Sequence, residues 1–390
     1  MFPFVIAQLV GTLDVGERTD VRVRDSGVGP ETDAEAAFRF RMTLRGRRVE
    51  LSLGANPRLT AFSWVNDDRR SVLASAPGQL GIGYRERHFG IFLSQDGSYG
   101  LENYATLRYP STDPLPGTPP GQPTPPQPLP TLPGASTLGL VSSRSALSAY
   151  ETPSSRWLVT EAAAFELSGG ANETSRAFVP LQYGPRFAIA VDHRATHLDH
   201  VGASVDASFA HFSSGADAGI ATALVRYGRD LARGTTLTLG AGAAAAAFRT
   251  EPQPYRTRPY ATAEITLAHH RPLFGHRLDL DGAARFGPTI DRIAGTVDPR
   301  VSAAVGATYT TRSYVLRVGA SFTQSVLADS AASITAFGAE GTVRVPFTRT
   351  VALEGGSRIA IQSFQGAAFE TYAFFLALDL HPDVLHFRTP

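Results

Sequence analysis

The chain contains no cysteine and no lysine among its 390 residues, and only 18% of its residues are charged. The lack of cysteine excludes disulfides, thiolate nucleophiles and cysteine metal sites, and it fits an oxidising compartment of the cell envelope. All 36 basic residues are arginine, and the formal net charge is only +1. This balance gives no reason to expect a nucleic-acid partner.

The sequence also lacks any run of 18 apolar residues, which excludes a transmembrane helix of ordinary length. Its mean hydropathy is nevertheless near zero, although charged residues are scarce. This combination is typical of a membrane barrel, in which a polar interior face offsets a lipid-facing exterior.

Strict alternation of apolar with small or charged residues recurs along most of the chain. The segment 300–323 consists of two such arms joined by a turn at 310–313, and residues 38–45 alternate apolar residues with Arg39, Arg41, Thr43 and Arg45. Each arm is about ten residues long, the length that a tilted strand needs to cross the hydrocarbon core. We therefore predict an all-β, transmembrane antiparallel up-and-down β-barrel.

The predicted barrel has about 18 strands (16–18), because short and long connections alternate and both termini lie on the short side. A barrel of this size encloses an aqueous lumen. The predicted short connections are 46–47, 85–88, 195–199, 230–234, 310–313 and 346–349, and the longer ones include 64–77, 169–184 and 250–257.

The predicted organisation is one barrel with additions. Residues 1–10 form an N-terminal segment or signal remnant, since residues 1–8 are short and lack a basic region. Residues 11–381 form the barrel, 104–137 a proline-rich insertion, and 382–390 a C-terminal tail. Between 110 and 133 there are 11 prolines, which favour an extended chain. This insertion is interpreted as a surface loop, an inward constriction or a docking peptide for a partner.

The period-2 pattern assigns the charged residues to the inner face, because a charge on the lipid face costs about 2–4 kcal/mol at the midplane. Such residues are simply the polar lining that a wet lumen needs, or they bind and pass an anionic or hydroxyl-rich solute weakly at many sites. The residues predicted to line the lumen are Arg18, Arg22, Arg39, Arg41, Arg45, Asp192, Arg226, Asp279, Asp281, Arg285, Arg317, Glu340, Arg344, Glu354 and Arg358.

No motif predicts catalysis, a metal site or a cofactor. His193, His197 and His200 have a spacing that zinc could use, but we interpret them as interfacial residues at the short-turn end. Sequence patterns for a nucleophile elbow, a zinc protease helix and a phosphate loop are all missing. We expect no enzymatic activity and no cofactor.

Residues 38–44, 187–191, 278–286 and 314–322 and the aromatic-rich stretch 372–380 resemble the bacterial outer-membrane β-barrel class. The chain departs from that class at its end, where Phe387 is followed by Arg-Thr-Pro390 rather than being terminal. The arginine-only, alanine- and glycine-rich composition looks like that of myxobacterial barrels. The resemblance implies a porin-like protein of the bacterial outer membrane, in contact with outer-membrane lipid.

Strand number and lumen charge are also similar to those of 18-stranded exopolysaccharide-export barrels, which is an analogy of fold. It implies a channel for a hydrophilic substrate, foremost a polysaccharide leaving across the outer membrane, and a periplasmic export or envelope-machine partner. The alternative is a structural barrel that anchors an envelope complex, with a plugged lumen in which arginines pair with acids. An enzyme would require an acid–base cluster at the outer rim.

Overall fold

The computed structural model describes residues 10–25, 30–64, 67–103, 137–250, 252–291, 295–326, 334–364, 367–380 and 385–388. The proline-rich stretch 110–133 therefore lies outside the described residues. Among the described residues there is one short helix, α1 (Glu173–Phe178), and no helix is long or apolar enough to cross a membrane.

The remaining elements are strands. They are β1 (Val10–Asp25), β2 (Pro30–Arg45), β3 (Val49–Ala55), β4 (Arg58–Trp64), β5 (Asp67–Ser75), β6 (Gly78–Arg85), β7 (Phe89–Asn103), β8 (Thr137–Ser154), β9 (Trp157–Gly170), β10 (Gln182–Arg194), β11 (Asp199–Phe212), β12 (Ala216–Ala232), β13 (Thr235–Thr250), β14 (Arg256–Leu273), β15 (His276–Ile290), β16 (Val297–Thr310), β17 (Val315–Ser325), β18 (Ile334–Pro346), β19 (Val351–Phe364), β20 (Ala367–Leu380) and β21 (Leu385–Arg388).

These strands form one closed antiparallel barrel, because each strand from β7 to β20 pairs with the next and β1 pairs with both β2 and β20. Two spanning strands are each interrupted once by a proline. β3 and β4 both pair with β2 on either side of Pro57, and β5 and β6 are separated at Pro77. Proline has no N–H for the ladder, so the pairing breaks there. With each interrupted strand counted once and the short β21 counted as a continuation of β20, the described residues form an 18-stranded barrel, which confirms the predicted fold.

Two segments differ from their sequence-based interpretation. The prediction of a long loop over residues 64–77 is wrong, since β4 and β5 occupy most of it and the connection is residues 65–66. The charged run 67–70 and the proline resembled a loop, but they belong to a strand. Within the segment taken as a C-terminal tail, β21 pairs with Val10–Leu13 of β1 and thus extends the edge formed by β20.

The two faces of the barrel wall differ in chemistry. Large apolar side chains occupy alternate positions and remain exposed, for example Phe187 (56%), Val225 (63%), Val305 (60%) and Phe374 (64%). The positions between them hold small or charged residues. An apolar band that no other protein element covers is the lipid-facing surface of a membrane barrel.

The two ends of the barrel also differ. At one end the connections are brief, such as residues 46–48, 155–156, 233–234 and 274–275, and β1 begins there. At the other end lie the connection that contains α1 and the connection 291–296. In bacterial barrels the short turns face the periplasm and the longer loops face outward. We therefore assign the short-turn end to the periplasmic side.

Two connections at the external end pack inside the barrel. Val179, which follows α1, packs against Leu138 and Leu140 of β8. Where the β15–β16 connection ends, Val297, the first residue of β16, joins a buried apolar cluster with Phe212 and Ala216. These clusters are small, and they are the buried apolar cores found in the described part of the chain.

Candidate functional site in the barrel lumen

The strand register places the predicted lumen residues on the wall face opposite the exposed apolar residues. For example, Phe38 and Phe40 are exposed to the outside and flank Arg39, and Val301 and Val305 lie on the opposite face from Arg317 across the β16–β17 pairing. The same alternation holds for the other predicted residues. Arg22 lies in β1, but its side chain lies outside the described part of the structure.

Several inward charges pair with a partner on the neighbouring strand. Arg358 Nη2 lies 2.5 Å from Glu340 Oε2, and the two residues are direct partners in the β18–β19 register. Arg45 pairs in the same way with Glu50 at 2.9 Å, near the periplasmic turn. Arg39 lies 3.8 Å from Asp14 across β1 and β2. In each pair, an inward-facing charge is neutralised by an opposite charge on the adjacent strand.

Other pairs reach across an intervening strand. Arg226 Nε of β12 lies 3.0 Å from Glu264 Oε1 of β14, and Gly240 of β13 lies between them in the register. A Cβ atom on Gly240 would lie 2.6 Å from Glu264 Cγ, so the missing side chain makes room for the pair. Side chains converge on the concave face of a curved sheet, which explains how partners two strands apart meet.

The same arrangement occurs where the barrel closes. Arg344 of β18 lies 2.9 Å from Asp379 of β20, and Arg18 of β1 lies 3.1 Å from Glu354 of β19. Asp279 accepts hydrogen bonds from Arg277 at 2.7 Å, and His270 Nδ1 lies 2.8 Å from it near the periplasmic rim. These contacts account for the predicted residues Arg18, Asp279, Arg344 and Glu354.

A second group of predicted residues makes no ion pair within the described part of the chain. It consists of Arg41, Asp192, Asp281, Arg285 and Arg317. The wall therefore combines neutralised pairs with a few charges whose polar atoms can contact a solute. The structure does not bring the predicted residues to one point but distributes them around the barrel.

The inner wall borders open space. The side chains of Glu340 and Arg358 are 50% and 44% accessible, although both point inward and are paired with each other. In a plugged interior such residues would be buried. The described residues thus leave a water-accessible lumen along this part of the wall.

Sequence reasoning overlooked some inward charges. Arg186 pairs with Asp206 at 3.1 Å, and Arg144 pairs with Glu166 at 3.4 Å. The alternation of Phe187, Ile189 and Val191 already places Arg186 on the inner face, so a signal was present. Arg144 was harder to assign, because the outer face of β8 carries Ser143 and Ser145 and the alternation is weak there.

The external end of the lumen contains a buried charge cluster. Arg300 Nη2 lies 2.7 Å from Asp291 Oδ2 and Arg300 Nε lies 3.6 Å from Asp298 Oδ2, with the side chains of all three residues only 5% accessible. Gly295 has φ +63° and approaches Ala216 so closely that a Cβ would lie 2.5 Å from the Ala216 Cβ. The β15–β16 connection is therefore held against the inner wall.

A comparison with protein families gives a direct result for this barrel. Residues 78–364, more than half of the chain, match the model of the EpsX exopolysaccharide export family. The chain belongs to the EpsX exopolysaccharide export family. A comparison with curated proteins finds no match.

Solved structures with a similar fold are bacterial. OccAB4 of Acinetobacter baumannii is 10% identical with a TM-score of 0.50, covering 95% of this chain and 98% of that one. OpdL of Pseudomonas aeruginosa is 11% identical with a TM-score of 0.47, covering 95% and 99%. At such identities the likeness to OccAB4 concerns the fold alone.

Membership of the EpsX family agrees with the observed fold, a closed barrel with an exposed apolar band on its outer face. The chain is an outer-membrane β-barrel channel for exopolysaccharide export. This assignment confirms the predicted class, location and export function, and it assigns the chain to transport rather than to catalysis.

Proposed function

We propose that the exported polysaccharide passes through the lumen of this barrel, along the charged inner wall. The proposed path consists of the predicted lumen residues, from Arg18 and Arg45 near the periplasmic end to Arg285 in the outer half. The observation that carries the proposal is that inward charges such as Glu340 and Arg358 are paired on the wall and still accessible.

This wall chemistry suits a polymer that must keep moving. Paired charges offer hydrogen bonds to sugar hydroxyls without a strong net field. Arg41, Arg285 and Arg317, which make no ion pair among the described residues, add isolated cationic contacts. Conduction requires binding that is favourable enough for entry and weak enough, at many sites, for exit. The polymer enters at the short-turn end, where we also propose contact with a periplasmic export partner.

Engineered cysteines test the path, because the chain has none of its own. Ser302→Cys lies on the inner face of β16 and Ala303→Cys on the outer face of the same strand. We expect a water-soluble thiol reagent to label the first variant and spare the second. A bulky maleimide on the first variant should then stop polysaccharide release from cells that depend on the protein.

Complete labelling of Ser302→Cys with undiminished polysaccharide release would show that the polymer does not use the lumen. Failure of the reagent to reach this cysteine in a folded barrel would instead favour the alternative, a structural barrel that anchors an envelope complex. Ion pairs such as Arg226–Glu264 and Arg344–Asp379 are the observation that favours this alternative, since a closed interior needs its charges paired.

A further inference from the structure

Charge is distributed very unequally between the two ends of the barrel. The eight short turns contain seven arginines and one glutamate, although the whole chain has a net charge of only +1. The turns comprise residues 46–48, 86–88, 155–156, 195–198, 233–234, 274–275, 311–314 and 347–350. The connections at the opposite end contain five acids and three arginines. The turns at the periplasmic mouth thus carry a net positive charge.

Part of this mouth forms a cleft of about 510 Å³ between three neighbouring turns. Arg87 lines it from the turn before β7, Arg156 from the turn between β8 and β9, and Arg194 from the end of β10. Thr152 and Ser154 add hydroxyl groups to the lining. With Ser155, three arginines and three hydroxyl-bearing residues therefore line one concave site.

The cleft is held together by its backbone. The Thr152 N–H donates to the His88 carbonyl at 2.7 Å, and the Arg194 N–H donates to the Arg156 carbonyl at 2.8 Å. Trp157 packs on the His193 ring with centroids 4.3 Å apart. These contacts fix the three turns relative to one another. The backbone that carries the arginines is therefore ordered before a ligand binds.

Within the part of the chain that the structure describes, no acid forms an ion pair with the arginines of the cleft. Arg87 and Arg156 make no ion pair within the described residues, and Arg194 Nη2 donates only to the His197 carbonyl, at 3.1 Å. Glu86 is adjacent to Arg87 in sequence, but it forms an ion pair with Arg48 at 3.0 Å. The lining contains one carboxylate, that of Asp192. Cationic groups therefore exceed acidic ones in the cleft, in contrast to the paired wall further inside.

The cleft faces the lumen rather than the lipid. Arg194 and His200 are register partners on the inner face of β10 and β11, and Asp192 lies on the same face. Phospholipid headgroups contact the outer face, and so they are poorly placed to fill this site. A solute at the channel entrance can reach the cleft directly.

We propose that this cleft is an entry site that binds carboxylate-bearing sugar residues of the exported polymer, and this rests on the proposed passage through the lumen. Guanidinium groups bind carboxylates with two parallel hydrogen bonds, and hydroxyls such as those of Thr152 and Ser154 can bond to sugar hydroxyls. A positive mouth also raises the rate at which a polyanion arrives. The site captures an acidic polymer, and the neutralised wall beyond it lets the polymer advance.

The test uses the full-length protein in a planar bilayer of neutral phospholipid, with an oligogalacturonate probe and a neutral maltooligosaccharide of equal length. We expect the acidic probe to interrupt the ion current for longer than the neutral one when added on the short-turn side. The combined variant Arg87→Gln, Arg156→Gln, Arg194→Gln should shorten these interruptions about tenfold, because charged hydrogen bonds are lost. The binding should also weaken as salt is raised.

The control variant Arg233→Gln, Arg312→Gln, Arg349→Gln removes the same charge from the same rim outside the cleft and should keep most of the effect. Equal losses in both variants, or equal interruptions by the acidic and neutral probes, would overturn the proposal. An effect abolished by phosphatidylglycerol in the bilayer would assign the cleft to lipid instead and also overturn it. Binding of the acidic probe is measured in detergent as well, by isothermal titration calorimetry. The binding measurement distinguishes a cleft that does not bind the acidic probe from a barrel that does not conduct.

Discussion

Single side chains determine how the inner wall presents its charge. Arg358 and Glu340 face each other in the open lumen, whereas Arg300 is held between Asp291 and Asp298 away from solvent. The same residue types thus have two roles, which are set by exposure. The Arg358–Glu340 pair affects which ions the lumen attracts. The Asp291–Arg300–Asp298 cluster stabilises the β15–β16 connection.

Replacing Glu340 with glutamine should leave Arg358 without its partner and make the channel more selective for anions. Stability should change little, because exposed ion pairs contribute only about 0–1 kcal/mol. The measurement is the reversal potential in a salt gradient across a planar bilayer. Glu370→Gln, on the outer face of β20 with Phe374 and Leu376, is the matched control. A reversal potential that is the same for both variants and the native protein would mean that Glu340 does not face the ion path.

Replacing Arg300 with methionine should destabilise the barrel by about 3–5 kcal/mol, because two buried carboxylates would lose their cation. Urea unfolding of the reconstituted protein measures this loss. Arg317→Met removes an inward arginine that is exposed and has no ion pair in the described structure, so its effect should stay within about 0.5 kcal/mol. If the two variants unfold alike, the Asp291–Arg300–Asp298 cluster does not stabilise the external end.

Strands are the elements that the sequence predicted best, because alternation alone determines both a strand and its faces. Where the outer face is not apolar the signal is weak, as in β8 with Ser143 and Ser145. Proline created the other difficulty, since Pro57 and Pro77 interrupt strands that continue beyond them. The inward packing of Val179 and Val297 depends on contacts with distant strands, so no local pattern could reveal it.

The face assignment of β16 can be tested at two adjacent positions. Val305→Arg places a charge on the lipid side and should cost about 2–4 kcal/mol near the midplane. Ala304→Arg places the same charge toward the lumen and should cost much less. Unfolding in liposomes of defined thickness measures both. Equal costs would show that this strand does not separate lipid from lumen.

The whole molecule is a closed barrel whose wall chemistry follows from register and curvature. Sequence alternation predicted that Arg226 and Arg344 point inward, but it could not identify Glu264 and Asp379 as their partners. Those partners lie two strands away and meet only because the sheet is curved. In the same way, Arg87, Arg156 and Arg194 are far apart in sequence, and the pairing of β7 through β10 brings their turns to one cleft.

Single-channel conductance of the full-length protein in a planar bilayer is the most direct test of a water-filled export channel. The barrel described here predicts a large, steady conductance from a protein whose gel mobility shifts on heating, as a folded barrel requires. The variant lacking residues 110–133 should conduct as well, and current in that variant alone would identify the proline-rich segment as a plug. No current from either folded protein would contradict an open, water-filled lumen.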